Sequence, residues 1–303
     1  PIEVYMHPDV FAIIVTYNPD DGLEGRLLAI QKQVRNICII DNSENPDVIN
    51  NIKSIAERNN LSYQGDGINH GIAYSLTQGA ITAKSKGFNY YLTFDQDSTI
   101  PDLYVDNMKE AINTDPMIGI IGPVYYDIND GRYSRFPVMH NKLLVRREVF
   151  SDNEGIKDAM CIITSGALCR TSIFDEVGYF LNEYFIDYVD NEFCLRLLIS
   201  GYRVCVYPKV VIQHALGNRK KKFGFSPTNY PYYRKYYVTR NRLHVWKKYF
   251  KYYPAFIAYD FSAFLLDLFR VVFLEKDKFI KIKSIFLGVK DFLHGRYGKM
   301  NNI

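Results

Sequence analysis

Along the first third of the chain, short apolar, β-branched runs alternate with stretches of helical spacing. Residues 10–17 (VFAIIVTY) read as a buried strand that stops at Asn18-Pro19. Residues 23–34 follow with helical periodicity, and 36–40 (NICII) form a second strand closed by Asp41-Asn42-Ser43. A helix over 47–59, a weak strand over 61–64, a helix over 71–86 and a strong strand over 90–94 (YYLTF) continue the alternation. This rhythm predicts an α/β fold: a mostly parallel, Rossmann-like sheet with helices on both faces. Such sheets bind ligands beyond the carboxyl ends of their strands. Three successive strand ends deliver Thr16 and Asn18, Asp41 and Asn42, and Asp95 and Asp97 to one edge.

Beyond residue 115 the rhythm weakens. Residues 118–126 and 142–149 read as strands running antiparallel to part of the sheet. Residues 164–180 hold a Ser165-Gly166-Ala167 turn and a short helix, 190–200 a helix, and 203–213 a strand running into His214. From about residue 218 the pattern changes to Tyr, Lys and Arg at helical spacing, then a mostly apolar stretch over 255–274. Asp260, Asp267 and Arg270 in that stretch argue against a membrane-spanning helix and for an amphipathic or interfacial one. The chain thus divides into a body, residues 1–217, and a helical tail, residues 218–303.

Charge sharpens this division. The net charge is only +4, but residues 1–215 carry 18 basic and 28 acidic side chains, whereas 216–303 carry 19 and 5. A basic, aromatic tail behind an acidic body points to a polyanionic partner such as anionic lipid. No nucleic-acid-binding motif is present, so nucleic acid is not expected. The five cysteines form no CxxC pair and sit in apolar runs, as free thiols of a reducing compartment do. Residues 1–10 lack the basic and apolar regions of a signal peptide.

Three clusters could carry chemistry. Asp95-Gln96-Asp97 closes a strand with two carboxylates that suit a hard divalent cation, although the triplet alone equally suits a helix cap. Asp187, Asp190 and Glu192 gather at a helix start, where one could act as a general base and the others as caps. Glu192 and Arg196 are spaced to pair on one helix face. His214 follows an apolar strand, and its imidazole could join carboxylates around a metal.

In order, VTYN, IIDNS, Asn69-His-Gly71-Ile-Ala73, FDQDS, SGALCRTSIFDEVGYF and VDNEFCLR resemble glycosyltransferase family 2. The resemblance implies a GT-A fold and an inverting transferase that uses Mn²⁺ or Mg²⁺. It implies that Thr16, Asn18, Asp41, Asn69, Gly71, Asp95 and Gln96 face the nucleotide-sugar donor. It implies that Asp95, Asp97 and His214 hold the metal, His214 lying 24 residues after Asp190. Asp190 falls on the family's catalytic base. Val189 stands where the family commonly has an acid, which leaves Asp187 open as a partner in that role.

The tail pattern Tyr236-Tyr237, Arg240-Asn241, Lys247-Lys248-Tyr249 resembles bacterial rhamnosyltransferases. That subgroup implies dTDP-L-rhamnose as donor and a saccharide, often lipid-linked, as acceptor. It also implies a place at the inner face of the cell membrane, with the tail on the lipid or in a homodimer. Another NDP-sugar such as UDP-galactofuranose would fit the same fold. A nucleotidyltransferase would carry a Gly-rich basic loop where this chain has TYNPDDG. A non-enzymatic basic-tail binding protein would need none of these carboxylates.

Overall fold

The computed structural model describes residues 7–128, 131–214 and 230–300, with the side chain of His214 outside that description. Five strands and four helices build the first half: β1 (Val10–Thr16), α1 (Leu23–Gln31), β2 (Asn36–Asp41), α2 (Pro46–Arg58), β3 (Ser62–Gln64), α3 (Ile72–Ser85), β4 (Tyr90–Asp95), α4 (Tyr104–Asn113) and β5 (Ile118–Asp127). Then come β6 (Arg132–Tyr133), β7 (Phe136–His140), β8 (Leu144–Glu148), β9 (Lys157–Asp158), β10 (Leu168–Arg170), α5 (Ile173–Val177), α6 (Val189–Ile199) and β11 (Arg203–His214). The tail is three helices, α7 (Tyr232–Tyr249), α8 (Pro254–Phe273) and α9 (Lys278–Leu293).

Among the described residues the main sheet runs in the order β3-β2-β1-β4-β10-β5-β11-β9, with β6 beside β5. β1 is buried along its whole length, as a central parallel strand must be. In its register Thr16 lies opposite Asp41 of β2, and Val15 opposite Asp95 of β4. The expected polar edge therefore exists.

The expectation for residues 118–126 holds: β5 is antiparallel to part of the sheet, β10 and β6, and parallel to β11. The three-residue β10 also pairs antiparallel with β4, so β5 points the same way as β4. So short a strand, immediately after the Ser165-Gly166-Ala167 turn, carries too little period-2 signal to be read from sequence. The expectation for residues 142–149 is corrected: 144–148 leave the main sheet and form a separate hairpin with β7.

The tail does not stand apart from the body. Basic and polar residues of α7 are buried among its rings: Lys235, Tyr236, Arg240 and Asn241 are all 2% exposed or less. α9 crosses α7 closely at Gly288, where a Cβ would lie 2.7 Å from the Tyr236 carbonyl and 3.2 Å from the Arg240 nitrogen. The Tyr236 hydroxyl donates to Asp291 of α9 at 2.7 Å. Lys235 reaches Asp267 of α8 at 2.7 Å, and Lys281 reaches Glu275 at 2.8 Å. Asp260 of α8 accepts from the Trp246 indole at 2.7 Å and from Tyr188 of the body at 2.7 Å. The basic cluster at 219–222 and the body–tail boundary at 217 lie outside the described residues.

Among the described residues, no helix is long and apolar enough to cross a membrane. The five cysteines are free and buried, as expected.

The α7–α9 crossing gives a stability prediction. Gly288→Ala places a methyl against backbone that cannot rotate aside, so the helices must separate. It should cost about 1–3 kcal/mol, as overpacking does, read as a lower midpoint in thermal or urea unfolding. An unchanged midpoint would show that the crossing is loose.

Candidate active site

At the end of β2, Asp41 is 3% exposed and almost fully engaged. Its Oδ1 accepts from the Thr16 hydroxyl at 2.8 Å, the Ser43 hydroxyl at 2.7 Å and the Ser43 amide at 3.0 Å. Its Oδ2 accepts from the Tyr63 hydroxyl at 3.0 Å. Burial and the neighbouring Asp41 charge push the Tyr63 phenol far up, so it stays a donor. A carboxylate offers about four acceptor positions, two on each oxygen, which leaves room on Oδ2 for one further donor. Asp41 helps line a cavity of about 470 Å³, together with Lys53, Tyr63, Asp66, His70 and Tyr74. Asp66 and His70 meet at 2.8 Å, and the His70 and Tyr74 rings are 4.7 Å apart. Thr16 is wholly buried and does not line this cavity; its hydroxyl holds Asp41.

Gln96 and Asn18 also act on the main chain. The Gln96 side chain accepts from the Tyr17 amide at 2.7 Å and donates to the Tyr17 carbonyl at 3.2 Å, tying the loop after β4 to the loop after β1. Asn18 turns the chain with φ 45° and donates its amide to the Ser43 hydroxyl at 2.9 Å. Asn69 closes a local turn by accepting from the Gly71 amide at 3.0 Å. Gly71 is required as glycine: φ is 84°, and a Cβ would lie 2.5 Å from the Phe185 carbonyl.

The Asp95 main chain and the Asp190 carboxylate are both tied to one dipeptide, Thr164-Ser165. The Asp95 amide donates to the Ser165 hydroxyl at 3.0 Å, and that hydroxyl meets Ser98 at 2.6 Å. The Thr164 hydroxyl donates to Asp190 Oδ1 at 3.0 Å. The buried Tyr125 phenol donates to the Ser165 carbonyl and is close enough to Asp95 and Asp190 to feel both charges. Gly166 makes this possible, because φ is 75° and any side chain would strike Ile212 and Tyr104. The family resemblance took in this segment only from Ser165 onward, as part of SGALCRTSIFDEVGYF. Its part in holding Asp95 and Asp190 was not foreseen, since it depends on a contact between residues 70 positions apart.

Asp190 is the one carboxylate of its cluster with an altered proton affinity suited to catalysis. Burial raises it to about 6, opposed by the Thr164 hydrogen bonds and assisted by the Asp187 charge. Its two neighbours are committed elsewhere. Asp187 forms a two-pronged ion pair with Arg234 of α7. Glu192 is 1% exposed and accepts from Arg196 at 2.8 Å, Lys248 at 2.8 Å and the Tyr249 hydroxyl at 2.7 Å. Although burial opposes it, these cations hold its affinity below the usual range. The expected Glu192–Arg196 pair is present, and Arg196 also donates to the carbonyls of Val177 and Tyr179.

Asp95, Asp97 and His214 were expected to surround a metal. An isolated bridge between Thr99 and Gln213 brings the loop that follows Asp97 beside the residue preceding His214. Asp127 at the end of β5 lies in register with His214. Carboxylates together with a histidine imidazole are, by their chemistry, a donor set suited to Mn²⁺ or Mg²⁺. Among the described residues no three such side chains form a ligand cluster, and the third expected ligand lies outside them.

A dTDP-rhamnosyl transferase, RfbF, of Shigella flexneri is 28% identical over 299 residues, 97% of this chain and 98% of that protein. Among solved structures, a Pyrobaculum calidifontis mannosyltransferase in complex with GDP-Man and Mn²⁺ superposes with TM-score 0.57 at 14% identity, covering 94% of this chain and 87% of that one. GalNAc-T7 with UDP, GalNAc and Mn²⁺ superposes with TM-score 0.61 at 13% identity over 82% of this chain, which spans about half of it (49%). At these identities the two structures speak for the GT-A fold alone. The Glycosyl transferase family 2 model matches residues 11–178, more than half of the sequence, and the chain belongs to that family.

Proposed function

We propose that this glycosyltransferase moves L-rhamnose from dTDP-L-rhamnose to a saccharide acceptor, with inversion, using Asp190 as general base. The observation that carries the mechanism is the Thr164-Ser165 clasp, which ties the Asp190 carboxylate and the main chain of Asp95 to adjacent residues. The donor assignment is supported by near full-length similarity to the Shigella flexneri dTDP-rhamnosyl transferase.

On this reading the base of the donor lies in the cavity beside Tyr63, its N3–H directed at Asp41 Oδ2. Asp95, Asp97 and His214 would hold Mn²⁺ or Mg²⁺. Such an ion stabilises negative charge on a diphosphate leaving group. Asp190, ionised above about pH 6, takes the proton of the acceptor hydroxyl as that oxygen attacks the anomeric carbon. The attack comes from the face opposite the diphosphate, so configuration inverts. Asp187 is withheld from the base role by its pairing with Arg234.

The tail is proposed to rest on an anionic membrane at the cytoplasmic face, bringing the site to a lipid-linked acceptor. Four of its five acidic residues, Asp260, Asp267, Glu275 and Asp291, are turned into internal contacts, and Asp277 is exposed. The outward face of α8 and α9 keeps Phe273, Phe279, Phe286 and Leu293 exposed among exposed Lys276, Lys278, Lys283 and Lys290. Each Lys near an anionic surface contributes about 1 kcal/mol.

Four measurements test these readings. Release of nucleoside diphosphate from a panel of NDP-sugars should be greatest for dTDP-L-rhamnose and should require Mn²⁺ or Mg²⁺; a preference for UDP-galactofuranose would replace the donor and keep the fold. Asp190→Asn should lower turnover by about 10²–10⁴-fold, the usual worth of a general base, with dTDP binding unchanged. In the native enzyme, turnover should fall tenfold per pH unit below about 6, because protonating a carboxylate raised to that value removes the base. A flat profile down to pH 4.5 would exclude Asp190 from that role. Vesicles of phosphatidylcholine with phosphatidylglycerol should sediment the protein at low salt, phosphatidylcholine alone should not, and Phe279→Asp with Phe286→Asp should abolish the difference. No sedimentation with either vesicle would leave the apolar face to protein contacts.

A further inference from the structure

We propose that Arg240 and Asn241 of α7 are positioning residues for the transfer, holding the segment 183–188 so that the base and the donor-side loop keep one fixed geometry. The inference rests on Asp190 being the base.

The segment has an unusual backbone. Phe185, Asp187 and Tyr188 all have positive φ, at 64°, 64° and 61°. Around Phe185 (φ 64°, ψ −68°) the Ile186 amide donates to the Tyr184 carbonyl at 2.7 Å, a tight three-residue turn of the rare, strained kind. None of these residues is glycine, so the local sequence does not favour the shape and the surroundings must impose it.

The imposing groups come from the tail. Asn241, wholly buried, directs its side-chain amide at the carbonyls of Tyr184, Ile186 and Asp187, each at 2.9 Å. Arg240, also wholly buried, donates to the carbonyls of Glu183 and Tyr184 at 3.2 Å and of Gly298 at 2.7 Å. Its Nε donates to Asn241 Oδ1 at 3.0 Å, which orients the Asn241 amide with its N–H groups toward the segment. Arg234 then fixes Asp187, while Asp260 and Arg242 fix the Tyr188 hydroxyl.

The segment so held touches both halves of the site. Its far end opens α6, where Asp190 is the second residue. Its middle gives the Phe185 carbonyl to the Ala73 amide at 3.1 Å and lays the Phe185 ring against Gly71. Relaxing the turn would let Asp190 drift from Thr164. The part of the cavity built by Asp41 and Tyr63, on β2 and β3, would stay intact.

The test compares Asn241→Ala, Arg240→Lys, Asp190→Asn and the Asn241→Ala/Asp190→Asn pair. Turnover is read as dTDP release from dTDP-L-rhamnose, or release from whichever NDP-sugar the donor panel selects. Nucleotide affinity is read by calorimetry with dTDP, or with the nucleoside diphosphate of the selected donor. Asn241→Ala is expected to lower turnover 10–100-fold while that affinity changes less than threefold, and Arg240→Lys to fall between it and the native enzyme. In the Asp190→Asn background Asn241→Ala should add less than a threefold loss, because both act through one group.

A turnover loss under threefold, an equal loss of nucleotide affinity, or fully multiplicative losses in the pair would overturn the proposal. If Asn241→Ala does not fold, Arg234→Gln, at a partly exposed position, takes its place. It should lower turnover at least fivefold at unchanged nucleotide affinity, and no loss would overturn the proposal. Near-normal turnover of Asp190→Asn would remove the base reading and this one together. An inactive Asp190→Asn beside an unimpaired Asn241→Ala would remove only the positioning role.

Discussion

Bringing several carboxylates to one sheet edge is costly, because like charges repel most strongly where water is scarce. Much of the chain beyond the first four strands serves to manage that cost. Asp41 is compensated by four hydrogen bonds from Thr16, Ser43 and Tyr63. Asp187 and Glu192 are neutralised by cations of the tail and of α6. Asp190 alone in its cluster has a hydroxyl partner and, among the described residues, no cation, and burial raises its proton affinity. On the proposed reading, the carboxylate of that cluster that does chemistry is the one that no described cation meets.

This accounting also explains the tail's composition. A basic excess in residues 216–303 reads at first as a surface for an anionic partner. Part of it is instead internal. Arg234, Lys235, Arg240, Arg242 and Lys248 face the body or neighbouring helices, where they meet carboxylates and carbonyls. What remains outward on α8 and α9 is a set of lysines among exposed aromatic and aliphatic side chains.

Legibility in the sequence followed the range of the interactions. β1, β2 and β4 were readable because a buried parallel strand is a continuous apolar run, and their polar ends then marked Asp41 and Asp95. The Glu192–Arg196 pair was readable because it is local to one helix. β10 was not, being three residues long and defined by its neighbours. Nor were the hydrogen bonds of Thr16 to Asp41 and of Gln96 to the Tyr17 main chain. The clasp by Thr164-Ser165 and the grip of Asn241 on residues 184–187 join positions 26 to 70 residues apart, beyond any periodic signal. A hint was present in the unbroken polar string Thr239–Arg242 within an otherwise aromatic helix, since buried polar residues must have partners.

The crossing of α7 over residues 183–188 has a consequence for how such enzymes diversify. The body and the helical tail meet at a strained turn. A tail cannot be exchanged between relatives as an independent module unless that turn travels with it. The tail and residues 183–188 should therefore be inherited as a unit, while the first strands of the sheet remain free to drift separately.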